Sequence, residues 1–154
     1  MTTRTRRPLF PTLTAALLGL ALVAAPTTAR AADKEKKKDA DTPLAKAMEE
    51  LGDTYKALKK TVKDPAKKEE TIKLIDKAYQ ASVTSKLYAP TMLAKVPEAD
   101  KAKTLDGYRK MMAGVIAEFA KLEQQVLDGK NDEAAETLKN LKQLEDDGHE
   151  KYNP

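Results

Sequence analysis

From Leu44 onward the apolar residues recur at alternating steps of four and three: Leu44, Met48, Leu51, Tyr55, Leu58 and Val62. That spacing lays one hydrophobic stripe along one face of a helix. A second run, Ile72, Ile75, Tyr79 and Val83, follows the same rule. So does a third, Leu105, Tyr108, Met112, Val115, Phe119, Leu122 and Val126. A shorter fourth run is carried by Leu138 and Leu141. The punctuation agrees with the stripes. Thr42-Pro43 and Asp64-Pro65 each pair an N-cap residue with a proline suited to the first helical position. Pro90 and Pro97 bound a crossover with Met92, Leu93 and Val96 packed beneath it, Gly129 ends the third helix as a C′ residue, and Asn131 caps the fourth. The pattern predicts helices over 43–63, 65–86, 100–128 and 132–152, with the crossover as the longest ordered connection. No sustained period-two run and no Asn-Gly hairpin turn occurs. The expected fold class is all-α, an antiparallel up-down-up-down four-helix bundle over 42–154.

What precedes the first stripe reads differently. Arg4, Arg6 and Arg7 form a positive segment, Leu13 to Ala25 an apolar one, and Ala29-Arg30-Ala31 a small-x-small cleavage site. Residues 1–31 are therefore expected to be a secretory signal peptide, removed to leave a chain beginning near Ala32, and not a membrane anchor. The apolar run falls short of the roughly 20 residues a transmembrane helix needs. Thr5-Arg6-Arg7-Pro8-Leu9-Phe10 is loosely similar to a twin-arginine signal, so the Sec and twin-arginine routes both stay open. Residues 32–41 form a polar leader expected to be disordered. Export implies a periplasmic location, with no stable membrane insertion after processing. The signal also owns the basic charge. It carries four Arg and no acid, so the remainder holds 28 − 4 = 24 basic against 24 acidic residues and is neutral. A neutral chain has no surplus positive field for nucleic acid.

Candidate chemistry is sparse: one His, five Met and no Cys. The up-down topology brings the start of the first helix and the end of the fourth to one end of the bundle. Met48 lies about 9 Å from Thr42 along the axis, and His149 lies within one turn of its helix end. His149 also falls within about 20° of Leu138, which puts it on the core stripe. A His and a Met facing one interior are a plausible axial pair for haem iron. Met111 and Met112 compete as ligands. They lie about 18 Å along a helix starting at Asp100, deeper than Met48, and read better as pocket wall. The absence of Cys-x-x-Cys-His excludes covalent attachment, so the haem would be b-type, non-covalent, one per chain. The bland alternatives are that His149 merely complements a negative helix end and that Met48 fills core. A di-iron carboxylate site needs two Glu-x-x-His motifs, and a nucleophile triad lacks a Ser on a sharp turn. Asp146, Asp147 and Glu150 beside His149 read as a solvated helix end more than as a cation site. Enzymatic activity is not expected.

The chain resembles the soluble cytochrome b562 family. Ala47-Met48-Glu49-Glu50-Leu51 resembles the family's first-helix segment with the axial Met, and Gly148-His149-Glu150-Lys151-Tyr152 its terminal segment with the axial His. Tyr108-Arg109 with Met112, then Asp128-Gly129-Lys130, resembles the third helix and the turn after it. The similarity covers nearly all of 42–154. It implies export, non-covalent haem bound by Met48 and His149, electron transfer to a redox partner protein, and a monomer. Tyr108 and Met112 stand where the well-known haem binder of the family has aromatics packed on haem. Glu145, one turn before His149, stands where that protein has a basic residue. The rival function is a haem-free exported bundle acting as a partner-binding or chaperone-like protein.

Overall fold

The computed structural model describes residues 42–153; the expected signal peptide and leader lie outside them. Four helices account for most of this span: α1 (Pro43–Thr61), α2 (Lys68–Leu87), α3 (Glu98–Leu127) and α4 (Asn131–Tyr152). Two short 3₁₀ turns, Pro65–Lys67 and Thr91–Lys95, sit in the connections. Among the described residues there is no strand, and no helix is long and apolar enough to cross a membrane. Consecutive helices pack against one another, α1 on α2, α2 on α3 and α3 on α4. The result is the expected all-α four-helix bundle.

The helix ends follow the local chemistry of the chain. The Thr42 hydroxyl accepts from the Ala45 amide at 3.1 Å, and Pro43 occupies the first turn. The Asp64 carboxylate accepts from the Ala66 amide at 3.0 Å, which opens a 3₁₀ turn that feeds into α2. Gly129, at φ +73, sits in the left-handed region that glycine enters without strain. It closes α3 with the paired bonds Gly129 N to Val126 O at 3.2 Å and Lys130 N to Gln125 O at 2.8 Å, the Schellman pattern. The connection over 88–97 is the longest, as the two prolines imply.

Three expectations need correction. Asn131 does not cap α4; Lys130 holds that position without a side-chain cap bond. The Asn131 amide instead donates to the Val62 carbonyl at 2.8 Å, so a long-range bond to the end of α1 has taken the side chain that a local cap would have used. On α2 the buried face is Thr71, Ile75, Ala78, Ala81, Ser82 and Ser85, not the stripe through Tyr79, which is 38% exposed. Small residues lie inward there because α2 packs closely on both neighbours, and a large ring has no room. The crossover residues Met92, Leu93 and Val96 are only half-buried, since the 3₁₀ turn holds them at the surface.

The main core runs through α1, α2, α3 and α4 around Leu58, Ile75, Phe119, Leu122 and Val126. The seam between α1 and α4 is the loosest of the four. Near one end it is held by the Asn131 bond, and midway by the Tyr55 hydroxyl donating to the Leu138 carbonyl at 3.2 Å. Beyond Tyr55, toward the start of α1 and the end of α4, the seam parts.

Candidate functional site

Where α1 and α4 part, a cavity of about 850 Å³ opens against α3. Its α1 wall is Leu44, Met48, Leu51 and Tyr55, and its α4 wall Leu141, Leu144, Gly148 and His149. Tyr108, Met111, Met112, Val115 and Phe119 of α3 close the back. The volume lies in the range of ligand and cofactor sites, roughly 300–1,000 Å³. All four residues singled out from sequence, Met48, Tyr108, Met112 and His149, line this one cavity.

Their settings differ. Tyr108 and Met112 are buried at 1% and 2% exposure, because the third-helix stripe faces the core throughout. Met48 is half-buried. His149 is exposed and sits at the mouth. The stripe on α4 runs through Leu138, Leu141, Gly148 and Tyr152, and His149 flanks it, turned toward the parted seam. By angle His149 falls on the stripe; without a close α1 neighbour, the same position is a cavity rim and not core.

Axial register follows from the bond between Tyr55 and Leu138. Met48 is seven residues above Tyr55, about 10.5 Å, and His149 eleven above Leu138, about 16.5 Å. Side chains lean toward the N-terminus of their own helix. Met48 therefore leans outward and His149 back inward, which closes much of the difference. Met111 departs from its expected depth. A Cβ built on Gly148 would meet the Met111 Sδ at 2.9 Å and Cε at 3.0 Å, so Met111 rests against the residue next to His149. The difference comes from the helix offset: α3 has thirty residues against nineteen in α1, and its first turns extend past the start of α1. No sequence signal marked this contact except the glycine itself.

Tyr152 finishes this end of the bundle. Its ring meets Tyr108 edge to face at 5.4 Å and 75°, and its hydroxyl lies 2.7 Å from where a Cβ on Gly107 would stand. The Tyr108 hydroxyl donates to the Ser85 carbonyl at 2.9 Å. Burial pushes its acidity down, with a pKa of about 12. Burial also raises the pKa of Tyr55, with the negative charge of Glu145 adding to it.

The charged lining is mixed. Lys56 pairs with Asp53 at 2.9 Å, and Lys142 pairs with Asp146 and, more loosely, with Glu145 at 3.5 Å. Glu145 itself is half-buried and lines the cavity. Among the described residues no group of three or more His, Cys, Asp or Glu is placed to hold a metal ion, so Asp146, Asp147 and Glu150 do not form a cation site with His149. An apolar cleft with one imidazole and thioethers on its walls does suit a flat apolar macrocycle whose metal needs only axial donors.

No curated protein and no solved structure matches the chain. A family model described as Cytochrome b562 matches residues 43–153, from the first residue of α1 to one residue past α4. With all four helices and all but one of the cavity-lining residues falling inside that match, the chain belongs to the cytochrome b562 family, a family of haem-binding electron carriers.

Proposed function

We propose that the cavity holds one non-covalent b-type haem, ligated by Met48 from α1 and His149 from α4, in an exported, periplasmic electron carrier that works as a monomer with a redox partner protein. The observation that carries this reading is the single imidazole of the chain and a thioether lining one apolar cavity, from two helices whose seam is parted at that level. Bound haem would supply one-electron chemistry; the protein supplies ligands, orientation and a dry wall. Thioether ligation raises the potential relative to two nitrogens. Tyr108 and Met112 form an apolar backing that excludes water from one edge, and the rigidity of Tyr108 comes from its bond to Ser85. Glu145 puts a carboxylate in the cavity wall, which would raise the cost of seating a haem that carries carboxylates of its own, and Lys142, already paired, offsets it only in part.

The test is a visible spectrum during haem titration, oxidised and reduced. Wild type is expected to give a low-spin six-coordinate spectrum. Met48→Ala should keep haem through His149, free one axial position and lower the potential; His149→Ala should lose far more affinity. A double variant that binds haem like wild type, with an unchanged spectrum, would sink the axial assignment. A wild type that takes up no haem would favour a haem-free partner-binding bundle. Export is tested separately, by amino-terminal sequencing of the secreted form, which should begin within a couple of residues of Ala32 and not at Met1.

A further inference from the structure

We infer that the haem-free protein binds one Cu(I) ion at the same end of the cavity, through the thioethers of Met48 and Met111 and the imidazole of His149. This goes beyond the haem reading and rests on the cavity alone. The chain has no cysteine, so its soft donors are thioethers, which with imidazole suit Cu(I). Three of the five methionines of the chain, Met48, Met111 and Met112, line one cavity with the only histidine. The contact of Met111 with Gly148 is what makes a site of them. Its Sδ lies 2.9 Å from where a Cβ on Gly148 would stand, which seats that sulfur at the level of the residue before His149. Met48 leans toward that level from α1, within the register set by Tyr55 and Leu138.

Charge favours a bare cation here. All three donors are neutral when His149 is unprotonated, so the bound ion keeps its full charge. Glu145, half-buried one turn before His149, lies in the cavity wall. Its pairing with Lys142 is the longer of the two Lys142 contacts, 3.5 Å, because the same ammonium is engaged by Asp146. The Glu145 carboxylate attracts a monovalent metal. Copper and haem would compete, since both need Met48 and His149.

The test titrates haem-free full-length protein, without oxygen, against Cu(I) held as its bicinchoninate complex. The expected result is transfer of one Cu(I) per chain. Met111→Leu, Met48→Leu and His149→Ala should each weaken it by at least about tenfold, the scale on which metal sites answer to one lost interaction. Met92→Leu, outside the cavity lining, should bind as wild type does. Met→Leu nearly conserves volume, so helicity is kept. X-ray absorption on copper-loaded wild type needs no variant and should show sulfur and nitrogen neighbours together. No transfer from bicinchoninate, wild-type affinity in Met111→Leu, or a shell of light atoms only would each overturn the site. Haem titration of Met111→Leu separates the two readings: haem binding that survives while copper binding is lost supports this site, and copper binding in a protein that takes no haem leaves it standing alone.

Discussion

Gly107 and Gly148 offer the same substitution with different outcomes, decided only by what the new methyl meets. Both lie inside helices, where Gly→Ala gains about 1 kcal/mol of intrinsic helix stability. At Gly148 the methyl would lie 2.9 Å from Sδ and 3.0 Å from Cε of Met111. Those atoms end a flexible chain, and they border open cavity into which they can swing. An off-rotamer thioether costs about 0.5–1.5 kcal/mol, so Gly148→Ala should leave stability near the wild-type value. At Gly107 the methyl would lie 2.7 Å from the Tyr152 hydroxyl. That ring is 5% exposed and fixed edge to face on Tyr108, which is itself anchored to Ser85. Overpacking costs about 1–3 kcal/mol, and loss of the ring pair about 0.5–1.5 more. After the helix gain, Gly107→Ala should lose about 1–3 kcal/mol, or roughly 4 °C in Tm for each kcal/mol in a domain of this size. Urea and thermal unfolding followed by far-ultraviolet circular dichroism measure both. If Gly107→Ala is as stable as Gly148→Ala, the packing argument fails. Gly148→Ala should also weaken haem uptake, because Met111 is displaced into the cavity.

Tyr108→Phe should cost about 0.5–1.5 kcal/mol near neutral pH, since it removes one of two donors to the Ser85 carbonyl and leaves the Tyr88 amide at 3.3 Å as the other. The raised pKa of Tyr108, about 12 against 10.0, makes a sign prediction as well. Its stabilising contribution is complete below pH 10 and is lost as pH rises toward 12, because the unfolded chain gives up the proton first. That loss, roughly 2–3 kcal/mol, should appear in alkaline unfolding of wild type and be missing from Tyr108→Phe; equal slopes in the two proteins would refute it. Asn131→Ala should lose about 1 kcal/mol through the bond to Val62, whereas Asn131→Ser, a good cap residue, should not restore it. Thr42→Ala, at a true cap, should cost about 1 kcal/mol, and there Ser should restore most of it.

The sequence by itself determined the number, direction and approximate limits of the helices. Three–four spacing and cap chemistry are local, and Thr42, Asp64 and Gly129 act within a few residues of themselves. It also brought Met48, Tyr108, Met112 and His149 to one cavity, because an up-down topology fixes which ends meet. Tertiary structure decided the rest. The rotation of α2 was set by how closely its neighbours approach, which put Ser82 and Ser85 inside and left Tyr79 at the surface. The Asn131 side chain went to Val62 because a distant carbonyl competed with a local amide. The level of Met111 depended on the offset of α3 against α1, and an offset between helices has no local signature; two glycines, Gly107 and Gly148, set how closely α3 and α4 approach. Whether His149 is core or rim turned on the gap between α1 and α4. Periodicity assigns a residue to a face, but only the packing of all four helices fixes what that face meets.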